Sequence, residues 1–441
     1  MKRRIDKELL NWKNDPERKV LLVRGARQVG KTYSIRKLGE TFRHFLEINF
    51  EETPDAKIFF ERTRNPQELC EKLSIYFSTP IVPNETLLFL DEIQSCTGAL
   101  KALRFFYEKM PRLHVAAAGS LLEFALEEIP SFGVGRIASL FMYPMNFSEY
   151  LIASGNEGME KLIRQSSPSA PMDPVIHEKI LDKLKLFQVL GGMPEAVASY
   201  LKSNDLYRCL IILDQLITTI IDDFAKYKKR APVDKLQEVF YSTIHQAGAK
   251  FKYSNVSPSG GSTGGYKESL NLLIKGGIAH RVYHTSAQGL PLGAQVNERK
   301  FKILPLDTGV YQRILGLDLS QHIISDFDSI VNRGNLAEIF VGTELISNQS
   351  PFLHPQLYYW HREAKSSNAE IDYVVSSKGR IIPVEVKAGH KGQMQSLHLF
   401  LAERNLPWGL RISSENFASY PNIRVIPLYA VSQVFQSEFV D

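Results

Sequence analysis

The stretch KVLLVRGARQVGKT, residues 19–32, decides the fold of the first part of the chain. Its apolar start predicts a buried strand, and the rest fits the pattern G-x-x-x-x-G-K-[ST] without exception. A loop of this kind, placed between a strand and a helix, curls its backbone amides around phosphate oxygens. The sequence therefore predicts a nucleoside triphosphate site, with ATP as the expected ligand, formed by Gly25, Ala26, Arg27, Gln28, Val29, Gly30, Lys31 and Thr32.

A second motif completes this site. Residues 87–90 are apolar and predict a buried strand, which ends in Asp91 and Glu92. Open parallel sheets bind their ligands at the carboxyl ends of the strands. We expect Lys31 to reach the β- and γ-phosphates, and Thr32 and Asp91 to hold Mg²⁺. Glu92 is then placed to polarise the attacking water.

Two further residues are candidates for the same site. Ser120 follows a predicted strand and is expected to contact the γ-phosphate or the lytic water, or to cap a helix, because Glu123 lies three residues later. Arg136 is expected to act as an arginine finger or to form a surface salt bridge. If the finger serves a neighbouring copy, the chain functions as a homo-oligomer.

The first part of the chain, residues 1–155, alternates strand and helix patterns, which predicts a parallel sheet with helices on its faces. Residues 155–174 are rich in Ser, Pro and Gly and predict a mobile loop. Helical patterns over residues 175–230, interrupted by GGMP at 191–194, predict a helical lid. The predicted strands of the first part are residues 19–24, 45–50, 86–90 and 114–118.

The middle segment, residues 231–310, has the element order of a winged helix. A loop is expected at residues 256–266, followed by a helix to residue 275 and strands at 280–284 and 301–304. Residues 224–302 hold thirteen Lys and Arg against four Asp and Glu, whereas the rest of the chain is net negative. This excess indicates a nucleic-acid or phosphate partner, or a solvated basic surface.

Residues 369–387 have the pattern of a β-hairpin with a two-residue turn at Lys378-Gly379. One face of the hairpin is apolar. In the register set by this turn, Asp372 lies opposite Glu385 on the other face, and Glu370 lies opposite Lys387. A plain interpretation is a polar surface with a Glu370–Lys387 ion pair.

The Asp372–Glu385 pair allows a second interpretation. Opposed like charges destabilise a sheet, and a divalent cation between them, Mg²⁺ or Mn²⁺, would remove that cost. Lys387 could then orient or activate a water, so that the group could hydrolyse a phosphodiester. Glu338, in the helix predicted over residues 335–348, is either a third ligand of the metal or a helix-surface carboxylate.

Three segments together resemble one known arrangement: RGARQVGKT, GRIASLFMYPMNFSEYL and the C-terminal YYWHREAKSSNAEIDYVV with RIIPVEVKAG. The chain resembles prokaryotic AAA-type ATPases that carry a C-terminal domain of unknown function with a PD-(D/E)XK nuclease-like signature. The resemblance implies an α/β protein with an N-terminal P-loop (AAA-type) domain, a middle helical and winged-helix region, and a restriction-endonuclease-like domain over residues 325–441. The signature falls on Glu338, Asp372, Glu385 and Lys387.

Composition narrows the class of protein. Three scattered cysteines form no C-x-x-C pair, which argues against a disulfide framework or a zinc site. Residues 1–10 lack an apolar signal core, and no stretch approaches the roughly 20 apolar residues of a membrane helix. The expected address is the cytoplasm, with no membrane partner.

These patterns predict an ATP-binding and ATP-hydrolysing protein that acts on DNA and carries a metal-dependent nuclease-like domain. The alternative is a nucleotide-gated regulatory switch, or a DNA-binding protein whose nuclease-like domain is inactive.

Overall fold

The computed structural model describes residues 1–120, 122–127, 135–228, 230–257, 263–317, 333–362, 368–389 and 394–435. The chain divides into two compact units. The first comprises residues 1–143 with the short segments 275–277 and 350–354, and the second comprises residues 144–274, 278–349 and 355–441. The sequence predictions also cover residues outside the described ones: 121 and 128–134 of the expected P-loop domain, 229 of the expected lid, 258–262 of the expected loop, and 325–332, 363–367, 390–393 and 436–441 of the expected last domain.

The first unit alternates strands and helices, as the sequence predicts. Its elements are α1 Ile5–Asn14, β1 Val20–Arg24, α2 Lys31–Gly39, β2 His44–Asn49, α3 Lys57–Arg62, α4 Pro66–Tyr76, β3 Thr86–Asp91, α5 Thr97–Lys109, β4 His114–Ala118, α6 Leu122–Glu127 and β5 Ile137–Phe141. Its described strands form a parallel sheet in the order β2-β3-β4-β1-β5.

Burial explains why the sequence predicts these strands correctly, since a fully buried strand is a continuous apolar run. Every residue of β3 and β4 is buried, as expected for a parallel sheet that is covered on both faces. The core beneath the sheet includes Leu22, Ile48, Leu90 and Phe106. The order of the strands has one consequence for the site: β4 lies between β1, which leads into the Gly-rich loop, and β3, which ends in Asp91.

Strand β5 is absent from the sequence predictions. Its residues IASLF are mostly half-buried and include Ala138 and Ser139, so they form no strong apolar run. The strand is fixed by its pairing with β1, where Leu22 lies beside Ser139, and the backbone N–H of Met142 donates to the Arg24 carbonyl at 2.8 Å.

The second unit begins with helices and continues into a large sheet. Its elements are α7 Phe147–Ala153, α8 Glu157–Gln165, α9 Pro174–Leu190, α10 Pro194–Ser203, α11 Leu206–Asp222, α12 Val233–His245, α13 Thr263–Lys275, β6 Ala279–Thr285, β7 Val296–Pro305, α14 Thr308–Ile314, α15 Arg333–Asn348, β8 Leu357–His361, β9 Glu370–Ser377, β10 Arg380–Val386, α16 Gln395–Arg404, β11 Gly409–Ser413, β12 Ala418–Tyr420 and β13 Ile423–Pro427.

The described strands of this unit form a mixed sheet in the order β12-β13-β11-β10-β9-β8-β6-β7. Hairpin β9–β10 has the predicted register, with Val375 opposite Ile382 and Tyr373 opposite Val384. Its turn residues have φ angles of 47° at Lys378 and 75° at Gly379. A type I′ turn, the usual two-residue hairpin turn, requires positive φ at both positions. The two strands of the expected winged-helix segment, β6 and β7, lie at one edge of the same sheet.

Two loop predictions are wrong, because each of the two ranges contains helical residues. Within residues 155–174, Glu157–Gln165 is helix α8, whose Ile163 is buried and whose Glu160 pairs with Arg164. Within residues 256–266, the last four residues begin α13 despite two glycines. The Tyr266 ring is buried there, and its hydroxyl donates to Glu238 at 2.7 Å.

No helix in the described ranges is both long enough and apolar enough to cross a membrane. The three cysteines, all of which are described, are buried and form no disulfide.

Candidate functional site

The Gly-rich loop owes its shape to two glycines. Gly25 has φ +141°, and a Cβ on it would lie 2.1 Å from the Met142 carbonyl oxygen. Gly30 has φ +97° and precedes the first residue of α2. Any larger side chain at Gly25 would strain the backbone and collide with the segment after β5. The loop therefore joins β1 to the N-terminus of α2 in the arrangement that binds phosphate.

Lys31 is held inside this loop. Its ammonium donates to the carbonyls of Gly25 at 3.0 Å and Ala26 at 2.7 Å. Burial lowers the pKa of Lys31 to about 8, against the opposing effect of the Glu92 and Asp91 carboxylates. A buried ammonium with these partners is poised to exchange carbonyl oxygens for the phosphate oxygens of a nucleotide.

Thr32 and Asp91 meet across the carboxyl edge of the sheet. The Thr32 hydroxyl donates to Asp91 Oδ2 at 3.0 Å, and Asp91 Oδ1 accepts from the backbone N–H of Glu92 at 3.0 Å. Burial, and after it the Glu92 carboxylate, raise the pKa of Asp91 to about 6. A hydroxyl beside a carboxylate is an oxygen donor set that suits Mg²⁺.

Glu92 follows β3 in a left-handed conformation, with φ +47°. Its carboxylate accepts from Gln94 Nε2 at 2.5 Å. Gln94 in turn lies so close to Gly119 that a Cβ there would be 2.0 Å from Gln94 Oε1. Sequence analysis missed Gln94. The available signal was its position two residues after Glu92, where a short 3₁₀ turn, Ile93–Ser95, brings it back toward the carboxylate.

The two weaker candidates have different surroundings. Ser120 is buried and follows β4, which lies between β1, the strand that leads into the Gly-rich loop, and β3, which ends in Asp91. Glu123, the expected capping partner of Ser120, instead forms an ion pair with Arg24, whose Nε lies 2.6 Å from Glu123 Oε1. Arg136 forms an ion pair of 2.6 Å with Glu108 on α5.

A second group of charged residues lies on the mixed sheet. Asp372 on β9 accepts from the backbone N–H of Val386 at 2.8 Å, which ties it to strand β10. Lys387 donates to Glu385 Oε1 at 2.8 Å. The other oxygen, Glu385 Oε2, is buried and has no hydrogen-bond partner among the residues that the structure describes. The structure thus brings Asp372, Glu385 and Lys387 together.

Lys302 on β7 occupies the centre of this group, and sequence analysis missed it. Its buried ammonium contacts Glu338 at 2.7 Å and Glu370 at 2.6 Å. The expected Glu370–Lys387 ion pair is therefore wrong: Glu370 pairs with Lys302 and with Lys250 at 3.3 Å, while Lys387 pairs with Glu385. The available signal was one lysine inside the apolar run FKILP, where a buried charge demands a partner.

We call Glu338, Glu370, Asp372, Glu385, Lys302 and Lys387 the carboxylate–lysine cluster. Burial raises the pKa of Glu338, Asp372 and Glu385, whereas Lys302 holds the pKa of Glu370 below its ordinary value. Burial raises the pKa of Glu338 to about 8, in spite of Lys302. Burial, and after it the Asp372 carboxylate, raise the pKa of Glu385 to about 7. Asp372 and Glu385 supply the oxygen donors that a divalent cation would need, and the unpartnered Glu385 Oε2 fits such a role. No set of three or more His, Cys, Asp or Glu side chains is arranged around a metal position in the described ranges.

Sequence comparison divides the chain into three parts. Residues 17–151 match a family described as an AAA domain. Residues 181–321 and 333–431 match two domains of unknown function, DUF8612 and DUF4143. The first part of the chain is therefore an AAA-type P-loop ATPase domain, which is followed by two domains without an assigned role. No curated protein matches the chain.

Solved structures give distant likenesses. A Walker-type ATPase of Pyrococcus abyssi aligns with 71% of this chain and 95% of its own, at 14% identity and a TM-score of 0.45. The Orc1 protein of Aeropyrum pernix, solved in complex with DNA, aligns with 71% of this chain and 92% of its own, at 14% identity and a TM-score of 0.29. A signal-transduction ATPase of Pyrococcus horikoshii with a tetratricopeptide-repeat sensor aligns with 78% of this chain and 45% of its own, at 12% identity and a TM-score of 0.27.

Proposed function

We propose that the AAA domain of this chain binds MgATP and hydrolyses it, with the residues of the Gly-rich loop, Asp91 and Glu92 as the working groups. The observation that carries the proposal is the contact between the Thr32 hydroxyl and Asp91, beside the buried ammonium of Lys31. This contact connects the Gly-rich loop between β1 and α2 with Asp91 at the end of β3, so that phosphate-binding and metal-binding groups lie in one site.

Each group has a distinct role in this proposal. Lys31 neutralises the β- and γ-phosphates, and Thr32 and Asp91 hold the Mg²⁺ that accompanies the nucleotide. Glu92, positioned by Gln94, polarises the attacking water. Ser120 contacts the γ-phosphate or the lytic water, because β4 ends between β1 and β3.

The test is phosphate release from ATP by the purified chain, with Mg²⁺ and with a chelator. Mg²⁺-dependent turnover that Lys31→Ala abolishes would support the proposal, and turnover that survives Lys31→Ala would reject it. Arg136 acts as a finger in trans only if the rate per chain falls on dilution. A rate independent of concentration leaves Arg136 as the surface ion pair with Glu108.

We further propose that the second unit acts on DNA. Support comes from the basic edge, which we define as the exposed residues Lys250, Lys252, Arg299 and Lys300. Two backbone contacts bring these residues together. Lys250 forms an isolated antiparallel β-bridge with Lys302, and the Phe251 N–H donates to the Phe301 carbonyl at 2.9 Å. Lysines and arginines bind DNA mainly through its phosphates, so the affinity should fall steeply with salt.

The matching experiment is fluorescence anisotropy with a labelled duplex over a range of salt concentrations. A Lys252→Gln, Lys300→Gln double variant should lower the dependence of log affinity on log salt by about 0.9 for each phosphate contact removed. The Lys179→Gln variant, at an exposed site on α9, is the control. Equal salt dependence in all three proteins would reject this surface.

Nuclease activity is a second candidate function of the same unit, favoured by the unpartnered Glu385 Oε2. Asp372 and Glu385 would hold the divalent cation, which would supply Lewis-acid activation of a phosphodiester. Lys387, already bonded to Glu385, would orient a water. Plasmid cleavage with Mg²⁺ or Mn²⁺ that is lost in Asp372→Ala supports this function, and cleavage retained in that variant rejects it.

The contacts of Lys302 favour the alternative function, a nucleotide-gated switch or DNA-binding protein with an inactive cluster. Its ammonium contacts both Glu338 and Glu370, so part of the negative charge of the cluster is balanced without a metal ion. Under this alternative the wild-type chain cleaves no plasmid and has no greater Mn²⁺ affinity than Asp372→Asn. A difference between the two titrations would favour the nuclease.

A further inference from the structure

A polar cleft of about 350 Å³ lies in the second unit, beside the carboxylate–lysine cluster. It is formed by the ends of β6 and β8, the start of β7 and the end of α16. Its volume is at the lower end of the range for small-molecule sites. The lining includes His284, Asn297, His361, Arg362, Glu403 and Arg404.

The cleft carries a positive charge. Arg362 and Arg404 both contact Glu403, at 2.8 and 3.7 Å, so two guanidinium groups share one carboxylate. The basic edge adds to this charge. Burial, and after it the Lys250 ammonium, lower the pKa of His361, against the opposing effect of Glu370, and Lys300 acts in the same direction as Lys250. An anionic ligand is therefore the kind that the cleft would attract.

The wall of the cleft is fixed by hydrogen bonds. The Gln295 side-chain carbonyl accepts from the Ser286 hydroxyl at 2.8 Å and from the Gln288 N–H at 2.7 Å, while its amide donates to the Gly289 carbonyl. Arg404 donates to the Ser286 carbonyl at 2.9 Å. A wall held in this way binds a ligand with little loss of conformational entropy.

The cleft and the cluster are joined through neighbouring strands. His361, on the rim of the cleft, lies directly opposite Glu370, and Glu370 contacts the Lys302 ammonium at 2.6 Å. A ligand in the cleft would thus lie next to the residues that the proposed action on nucleic acid requires.

We propose that this cleft binds the phosphorylated end of a single nucleic-acid strand. The positive lining recognises the terminal phosphate, with Arg362 as its main partner, and the cleft has room for about one nucleotide rather than a duplex. Trp360 also lines the cleft, and its ring packs against Phe400 and beneath the Arg404 guanidinium. The identity of the ligand rests on the proposed action on nucleic acid.

The test uses the full chain, a chelator to prevent cleavage, and short labelled oligothymidylates with a 5′-phosphate or a 5′-hydroxyl. Binding is measured by anisotropy. Because a charge-assisted hydrogen bond is worth about 1.5–3 kcal/mol, the phosphorylated strand should bind roughly tenfold more tightly or better. In Arg362→Gln this preference should disappear, while the affinity for the 5′-hydroxyl strand stays unchanged.

Arg43→Gln is the matched control, because Arg43 forms a comparable surface ion pair with Glu85 in the first unit. It should leave the preference intact, and the unchanged affinity of Arg362→Gln for the 5′-hydroxyl strand shows that its second unit is folded. Equal wild-type affinity for the two strands overturns the proposal. So does a preference that Arg362→Gln preserves.

A separate arm distinguishes failure of the cleft from failure of the nucleic-acid function. If neither strand binds, the titration with the labelled duplex decides whether the action on nucleic acid fails, and thymidine 5′-monophosphate becomes the probe of the cleft. Calorimetric binding of this nucleotide that is lost in Arg362→Gln but kept in Lys31→Ala supports a phosphate site in the cleft. No binding, or binding lost only in Lys31→Ala, overturns it.

Discussion

The Thr32 hydroxyl donates a hydrogen bond of 3.0 Å to the Asp91 carboxylate, although the two residues are far apart in the chain. Strand β4 separates the strands that lead to them, so the contact crosses the carboxyl edge of the parallel sheet. This relationship makes one site of two motifs, and the predictions for the AAA domain depend on it.

Removal of the Lys31 ammonium should weaken nucleotide binding. Because each charge-assisted hydrogen bond contributes about 1.5–3 kcal/mol, Lys31→Ala should bind ATP roughly 10- to 100-fold more weakly. Titration with a fluorescent ATP analogue measures this. Lys37→Ala removes a lysine of the same helix that pairs with Asp6 at the surface, and should bind normally. Equal losses in both variants would point to damage to α2 rather than to a phosphate contact.

Acid should weaken Mg²⁺-dependent nucleotide binding. The pKa of Asp91 is raised to about 6, and Mg²⁺ binds the deprotonated carboxylate, so the affinity should fall as the pH drops through about 6. In the free protein the raised pKa favours the protonated form. The stability that Asp91 contributes is thus complete below the ordinary aspartate pKa and is lost as the pH rises through about 6.

Two measurements check the role of Asp91. Nucleotide titrations from about pH 5 to pH 8 should show the acid limb in the wild type and a flat, weak profile in Asp91→Asn. Urea unfolding without nucleotide should show Asp91→Asn gaining stability relative to the wild type as the pH rises. If the affinity of Asp91→Asn still falls at low pH, the titrating group is not Asp91.

Lys302→Met should destabilise the second unit. Burial acts to raise the pKa of Glu370, but Lys302 outweighs it, so the pKa is lowered and the carboxylate is ionised at neutral pH. Breaking a buried ion pair of this kind costs about 3–5 kcal/mol. A lowered pKa means that the stabilisation is present at neutral pH and is lost as the pH falls, so the difference from wild type should shrink in acid.

Urea unfolding at neutral and acidic pH measures this difference. Lys250→Met removes the exposed partner of the same Glu370 and should cost less than about 1 kcal/mol. Equal costs for the two lysines, or a loss at Lys302 that does not change with pH, would contradict the assigned role of its buried ammonium.

Local patterns made much of this fold predictable. The strands before the Gly-rich loop and before Asp91 are continuous apolar runs, because both faces of a parallel sheet are buried. The register of hairpin β9–β10 followed from the turn at Lys378, since a two-residue turn fixes which residues pair. The sequence pattern alone was therefore enough to place Asp372 and Glu385 together.

Contacts between distant segments were not predictable. Lys302 comes from β7, and nothing near it in the chain indicates that β7 lies in the same sheet as β9. That contact displaced the expected partner of Glu370. Helix α8 lies in a segment that is rich in Ser, Pro and Gly as a whole, but its own residues EGMEKLIRQ have apolar side chains at helical spacing, so this signal was local. Gln94 is close to Glu92 in the chain, but its hydrogen bond to the Glu92 carboxylate depends on the 3₁₀ turn that follows Glu92.

The most direct test of the central claim is a paired measurement on Glu92→Gln. General-base assistance contributes about 10²- to 10⁴-fold to a rate, so this variant should bind MgATP as the wild type does and release phosphate slower by a factor in that range. Glu51→Gln, at an exposed carboxylate beyond β2, should retain full turnover. Turnover in Glu92→Gln equal to that of the wild type, with MgATP bound, would contradict the account.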